Sequence, residues 1–144
     1  MKRRRGVRLA GFSLGFSLME LLLALVIAAV LVAIALPSYA GYTARARRVA
    51  ARSSLVQLAH WLERVATSTG SYPADTDIPA GLLKSDGDHY RLKATTKNST
   101  FKLEAAPLGA QAGDRCGTLS LLQSGERNIS NATSDTTVDA CWNR

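Results

Sequence analysis

"GFSLMELLLALVIAAVLVAIALPSY" occupies residues 15–39, and one carboxylate in it decides how the chain is read. From Phe16 to Leu36 the only charged side chain is Glu20. Wound as a helix rising about 1.5 Å per residue, that run spans about 31 Å, one hydrocarbon thickness. A carboxylate there costs about 2.5–3.5 kcal/mol at the membrane centre and less toward an end. Three readings compete. A secretory signal peptide would cut at Ser38-Tyr39-Ala40, but its apolar core should run about 7–15 residues without a carboxylate. A plain transmembrane anchor fits the length and leaves Glu20 unexplained. A segment cut just ahead of the apolar run would create a new α-amine one helical turn from Glu20, and so supply the missing counter-charge. Two cut sites offer themselves, because Gly11-Phe12-Ser13-Leu14 is repeated at once as Gly15-Phe16-Ser17-Leu18.

The net charge of +7 points toward nucleic acid until its location is considered. Lys2, Arg3, Arg4, Arg5 and Arg8 precede the apolar run with no acidic residue among them, and with that leader set aside 13 basic residues face 11 acidic ones, Glu20 included. Most of the basic character therefore belongs to the leader. Arg45, Arg47, Arg48 and Arg52 flank the other side of the run, so the positive-inside count is nearly balanced. Cys116 and Cys141 are the only cysteines. An even count behind a membrane-directed N-terminus points to an oxidising compartment and one disulfide, worth about 3 kcal/mol in the chain-entropy model. Two reduced thiols in a cytosolic protein are the competing reading; zinc would need further ligands that are not near them.

Pro37 lacks an amide donor and disfavours helical geometry at Leu36, which predicts a kink or local melting. Leu55, Leu58, Ala59, Leu62 and Ala66 then form one helical stripe. Residues 70–88 are rich in Gly, Pro and Asp and read as a loop. Residues 89–96 and 99–108 alternate as strands, with Tyr90, Leu92, Ala94, Phe101, Leu103 and Ala105 inward, joined through Lys97-Asn98 as a hairpin. A third strand over 116–123 puts Leu119 and Leu121 on one face, Ser124–Arg127 reads as a turn, and the polar tail reads as irregular. The expected fold is α+β: a long N-terminal helix, half membrane-like and half amphipathic, packed on a small antiparallel sheet.

These residues closely resemble the N-terminal signature of the type IV pilin family. That signature is a basic leader ending in Gly, then Phe, a Glu at the fifth mature position, an apolar helix, and a proline near the twenty-second. Counted from Phe16, Glu20 is fifth and Pro37 twenty-second; counted from Phe12 they would be ninth and twenty-sixth. "CGTLSLLQSGERN" and "ACW" are in turn similar to the C-terminal region of PilE-type minor pilins and relatives used in DNA uptake. The resemblance implies a leader over residues 1–15, a transmembrane or pilus-core segment over 16–36 and a periplasmic domain over 37–144. It implies that a prepilin peptidase cuts between Gly15 and Phe16 and N-methylates Phe16, with Glu20 and Pro37 acting in assembly. The implied role is a minor pilin in pilus assembly and pilus-dependent motility, adhesion or DNA uptake, a substrate of the peptidase and not an enzyme. Implied partners are other pilin subunits, the assembly platform, inner-membrane lipid before assembly, and DNA; no cofactor or metal is implied. The expected location is the bacterial inner membrane, with the C-terminal domain in the periplasm, and then an extracellular pilus. A pilus-borne DNA receptor for natural transformation and a type II secretion pseudopilin are the alternatives.

Other candidates carry less. Lys93, Lys97 and Lys102 fall on the outward face of the hairpin and are the candidate nucleic-acid contacts, although outward strand lysines also serve to block edge association. The arginines at 45, 47, 48 and 52 read as a solvated stripe or as phosphate contacts. Asp75, Asp77, Asp86 and Asp88 lack the closing glutamate of a calcium loop. His60 reads as packing beside the leucine stripe. His89 has no nucleophile placed with it.

Overall fold

The computed structural model describes residues 15–143. Residues 1–14, on which most of the expected leader and the first GFSL copy fall, and Arg144 lie outside the described residues, as do the side chains of Leu36, Pro37 and Ser38. The elements are helix α1 (Leu18–Thr69), strands β1 (Tyr90–Lys97), β2 (Thr100–Pro107), β3 (Thr118–Leu122) and β4 (Arg127–Ser130), and a short helix α2 (Val138–Trp142). By compactness the chain divides after Ser38.

In the first unit, alanine and leucine, the strongest helix formers, dominate α1. The large apolar side chains from Leu18 to Ile34 are all at least half exposed. The local melting expected at Pro37 does not occur, since helix is assigned through it. Proline strips one amide from the ladder, and the strong formers that precede it, Ala33, Ala35 and Leu36, favour the remaining bonds.

In the second unit, Ala51, Leu55, Leu58 and Leu62 are fully buried, with Ala59 and Ala66 half-buried beside them. The helix closes where Gly70 turns left-handed at φ +84° and its amide donates to the Ala66 carbonyl at 2.8 Å. The leucine stripe shares one core with the inward face of a four-stranded antiparallel sheet, ordered β1-β2-β3-β4. Large side chains oppose small ones across the β1–β2 seam: Leu92 pairs with Ala105, and Ala94 with Leu103. That alternation lets the two strands fill the space under the helix without voids. Tyr72 meets Phe101 edge-on, with centroids 5.1 Å apart.

The free edge of β1 is covered by the loop that precedes it. Tyr72 N donates to Asn98 O at 3.2 Å, Thr96 Oγ1 to Pro73 O at 2.7 Å, and Tyr90 N to Ser85 Oγ at 2.9 Å. Covering an edge removes a template for wrong pairing. Several expectations need correction. The β1–β2 turn is Asn98-Ser99, since Lys97 pairs with Thr100. The tail is not irregular, because it contains β4 and α2. β4 has only Ile129 as an apolar residue, so its partner β3 makes it a strand where its own pattern does not. His60 is exposed and does not pack.

Gly117 is the position where glycine is required. Its φ is +57°, and a Cβ there would lie 2.3 Å from the Ser130 carbonyl oxygen and 2.6 Å from Asn131 backbone. Backbone cannot move aside as a flexible side chain can. Gly117→Ala is expected to destabilise the domain by about 2–4 kcal/mol, read as a lowered urea midpoint of the full chain in detergent.

Candidate functional site

Four groupings of side chains stand out. The first is at the start of α1. Phe16 is 80% exposed, and Glu20 lies exposed in the first helical turn. A carboxylate near a helix N-terminus is favoured by the unsatisfied amides there. Among the described residues Glu20 makes no ion pair.

The second is the tail clamp. Cys116 and Cys141 form a disulfide with Cα atoms 5.8 Å apart, both fully buried, as expected from the sequence. The clamp seats α2, which Thr137 caps by accepting from Ala140 N at 3.2 Å. Trp142 donates its indole N–H to the Asn128 carbonyl at 3.1 Å, which occupies an acceptor of β4. The Arg127 guanidinium lies 5.4 Å above the Trp142 ring, and Arg52 donates to the Trp142 carbonyl. Burial, followed by repulsion from Arg48 and Arg127, lowers the Arg52 pKa.

The third grouping was not foreseen. Arg48 is not part of a solvated stripe: it is 5% exposed, and its Nε lies 3.2 Å from Asp114 Oδ1. The contact is an ion pair that is not aligned as a hydrogen bond. Asp114 Oδ2 accepts from the Tyr90 hydroxyl at 2.8 Å. Gln111 donates to that hydroxyl and to the Ala44 carbonyl, both at 3.2 Å. This network ties the segment before β3 to α1. A signal for Arg48 did exist, since it continues the three- and four-residue steps of Ala51, Leu55, Leu58 and Leu62. Asp114 gave none, being distant in sequence.

The fourth is the outward face of the β1–β2 hairpin. Lys93, Lys97 and Lys102 are all exposed, as expected. Lys102 stands opposite Thr95, midway between Lys93 and Lys97, which are about 13 Å apart along the strand. Arg91 extends the same row. Lys102 is partly neutralised by Glu104 at 2.8 Å. Among the described residues, no cluster of histidine, cysteine and carboxylate side chains could hold a metal.

A long helix, apolar at its start and amphipathic beyond, on a four-stranded antiparallel sheet with a disulfide-clamped tail is the arrangement of a type IV pilin. Residues 37–120, more than half of the chain, match the family model of the type IV minor pilin ComP, DNA uptake sequence receptor, and the chain belongs to that family. Among solved structures, the non-core minor pilin PilV of Neisseria meningitidis matches with a TM-score of 0.54 at 21% identity, over 66% of this chain and 93% of that one. That likeness shows the fold. A type IV pilin from Shewanella oneidensis is 32% identical over 65% of this chain and 98% of its own, with a TM-score of 0.49. No curated protein matches the chain. The chain is a type IV minor pilin, a structural class that works with other pilin subunits.

Burial, then the hydrogen bond to Asp114, raises the Tyr90 pKa well above the usual tyrosine range. Above pH about 10 an unfolded tyrosine releases its proton while the folded one holds it, so stability falls with rising pH, by up to about 1.4 kcal/mol per unit. Tyr90→Phe is expected to flatten that alkaline fall in urea midpoints relative to the parent chain.

Proposed function

We propose that this minor pilin is cut between Gly15 and Phe16 by a prepilin peptidase, N-methylated on Phe16, and assembled from the inner membrane into an extracellular pilus. The observation that carries this reading is the register from Phe16 to Glu20 to Pro37, at the head of a helix whose apolar side chains are exposed. Residues 1–15 act as the leader, residues 16–36 as the membrane and later fibre-core segment, and residues 37–144 as the periplasmic domain. Cleavage gives Phe16 an α-amine, and Glu20 of an incoming subunit pairs with the Phe16 amine of a neighbour. Each ion then offsets the other's desolvation, and removing one partner of such a buried pair costs about 3–5 kcal/mol. Pro37 gives a weak point in the hydrogen-bond ladder as the subunit passes from bilayer to fibre. The chain catalyses nothing in this scheme; it is the peptidase's substrate and the assembly platform's cargo. Mass spectrometry of sheared pili should find methylated Phe16 as the mature N-terminus and should find Glu20→Ala inserted in membranes but absent from pili. Phe12 as the N-terminus, or normal incorporation of Glu20→Ala, overturns the scheme.

DNA uptake is the work this pilin serves, a reading supported by the family's description as a DNA uptake sequence receptor. Lys93, Lys97 and Lys102 supply phosphate contacts on the exposed hairpin face, with Arg91 in the same row. Each phosphate neutralised adds about 0.9 to the slope of log affinity against log salt. Changing the three lysines to glutamine should therefore weaken duplex binding by the full chain and flatten the salt slope by about 2–3. An unchanged slope in gel shifts moves the contact elsewhere.

A further inference from the structure

A second basic surface lies on the same domain, away from the hairpin row. A cleft of about 380 Å³ opens between the first helical turns of the domain and the segment that precedes β3. Gly41 and Ala44 on one wall and Gly113 on the other leave room, and Arg45, Arg48 and Arg115 supply charge. Among the described residues the only carboxylate lining it is Asp114, which is buried against Arg48 and Tyr90. Arg45 and Arg115 make no ion pair among the described residues, and Arg47 stands beside Arg45 in the same condition. The cleft thus presents the Arg45 guanidinium without an ion pair among the described residues, and that of Arg115 within electrostatic reach of Asp135 but not in contact with it; a guanidinium matches a phosphate with two parallel hydrogen bonds.

Two facts of placement indicate which phosphate. Tyr39 and Tyr42 are 69% and 72% exposed, and Tyr39 follows the apolar run by three residues. Three residues reach no more than about 10 Å and six no more than about 20 Å in any conformation, so Tyr39 stays at the end of the segment Phe16–Leu36 and Tyr42 within about 20 Å of it. Tyrosines at that depth are the usual markers of a membrane–water interface. A domain tethered so closely to a bilayer, with arginines within the next few residues, lies inside the attractive field of anionic lipid.

We propose that, before assembly, the cleft of Arg45, Arg48 and Arg115 binds the phosphate headgroup of an anionic phospholipid, with Tyr39 and Tyr42 at the interface. The proposal rests on the membrane anchoring proposed above. Arg48 is held in place by Asp114, and Arg45 and Arg115 grip the headgroup. Leaving the bilayer for a fibre breaks this contact, so the lipid restrains the subunit until assembly.

The test is native mass spectrometry of the full chain in detergent micelles with added phosphatidylglycerol or phosphatidylcholine. The parent chain should retain phosphatidylglycerol in preference to phosphatidylcholine. Each arginine near an anionic surface is worth about fivefold in affinity, so Arg45→Gln with Arg115→Gln should reduce retained phosphatidylglycerol about 25-fold. Arg45→Lys with Arg115→Lys should restore most of it, which separates charge from any folding defect. Resistance to alkaline extraction from membranes should be the same for all three chains. Loss of that resistance in the parent chain would sink the anchoring reading, whereas equal retention of both lipids with anchoring intact would sink the cleft alone. Displacement of the lipid by millimolar inorganic phosphate would show a bare anion site and also overturn the proposal. So would duplex DNA binding that needs Arg45 and Arg115 while the lipid preference is absent.

Discussion

The domain depends on covering one helical stripe. Ala51, Leu55, Leu58 and Leu62 lie on a single face of α1 and are buried without remainder. At about 1.5–3 kcal/mol for each leucine removed from water, that face needs a surface of matching shape. The sheet supplies it through alternation, with Tyr90, Leu92 and Ala94 on β1, Phe101, Leu103 and Ala105 on β2, and Leu119 and Leu121 on β3, where Ser120 between them is buried too. Strand side chains alternate with period two, so a slip of one residue would turn the whole set outward. The same constraint places Lys93, Lys97 and Lys102 outside. Their exposure follows from the burial of their neighbours, and no separate device is needed to present them.

This explains what could be read from the sequence and what could not. Helical and strand periodicities report on a residue's own surroundings, so the stripe, three strands, and the inward and outward sets of the hairpin were all legible. The disulfide was legible from cysteine parity and a membrane-directed N-terminus. β4 was not, because Arg127–Ser130 carries one apolar residue and acquires its strand geometry from β3. α2 was hidden for a related reason: its five residues are held by the Cys116–Cys141 bond and by the Trp142 indole on Asn128, both long-range. The signature at Phe16, Glu20 and Pro37 carried the candidate assembly site, whereas the Arg45–Arg115 cleft depends on two segments meeting, which no local pattern encodes.

The arginines after the apolar run show how helical phase sorts identical residues. Arg45, Arg47 and Arg48 are neighbours in sequence, yet successive residues turn by about 100° around the helix axis. Arg48 falls in phase with the leucine stripe and is carried into the core's margin. There a charge requires a partner, and Asp114 supplies it, itself accepting from the Tyr90 hydroxyl, to which Gln111 donates. A buried pair of this kind contributes little net stability, because desolvation of both ions offsets their attraction. Its effect is on geometry. Gln111 reaches the Ala44 carbonyl, and Asp114 reaches Arg48, so the segment before β3 is fixed in register against the helix. Arg45 falls out of phase with the stripe and keeps its charge for a ligand.

The apolar unit poses a different physical problem. Every large apolar side chain from Leu18 to Ile34 is at least half exposed, so the segment needs cover from lipid or from other subunits of its class. For leucine, valine and isoleucine these two environments are nearly equivalent, since lipid tails are as apolar as the side chains themselves. Hydrophobic burial therefore holds the segment in either place and gives little preference between them. A preference must come from groups whose free energy differs between bilayer and packed helices. In the run from Phe16 to Leu36 only one side chain is ionisable, and that is Glu20. Its cost in lipid is high where it lacks a partner and falls where a cation is fixed beside it. In the scheme proposed for Glu20, the choice between membrane and fibre reduces, at the level of residues, to whether a positive charge is placed within reach of one carboxylate.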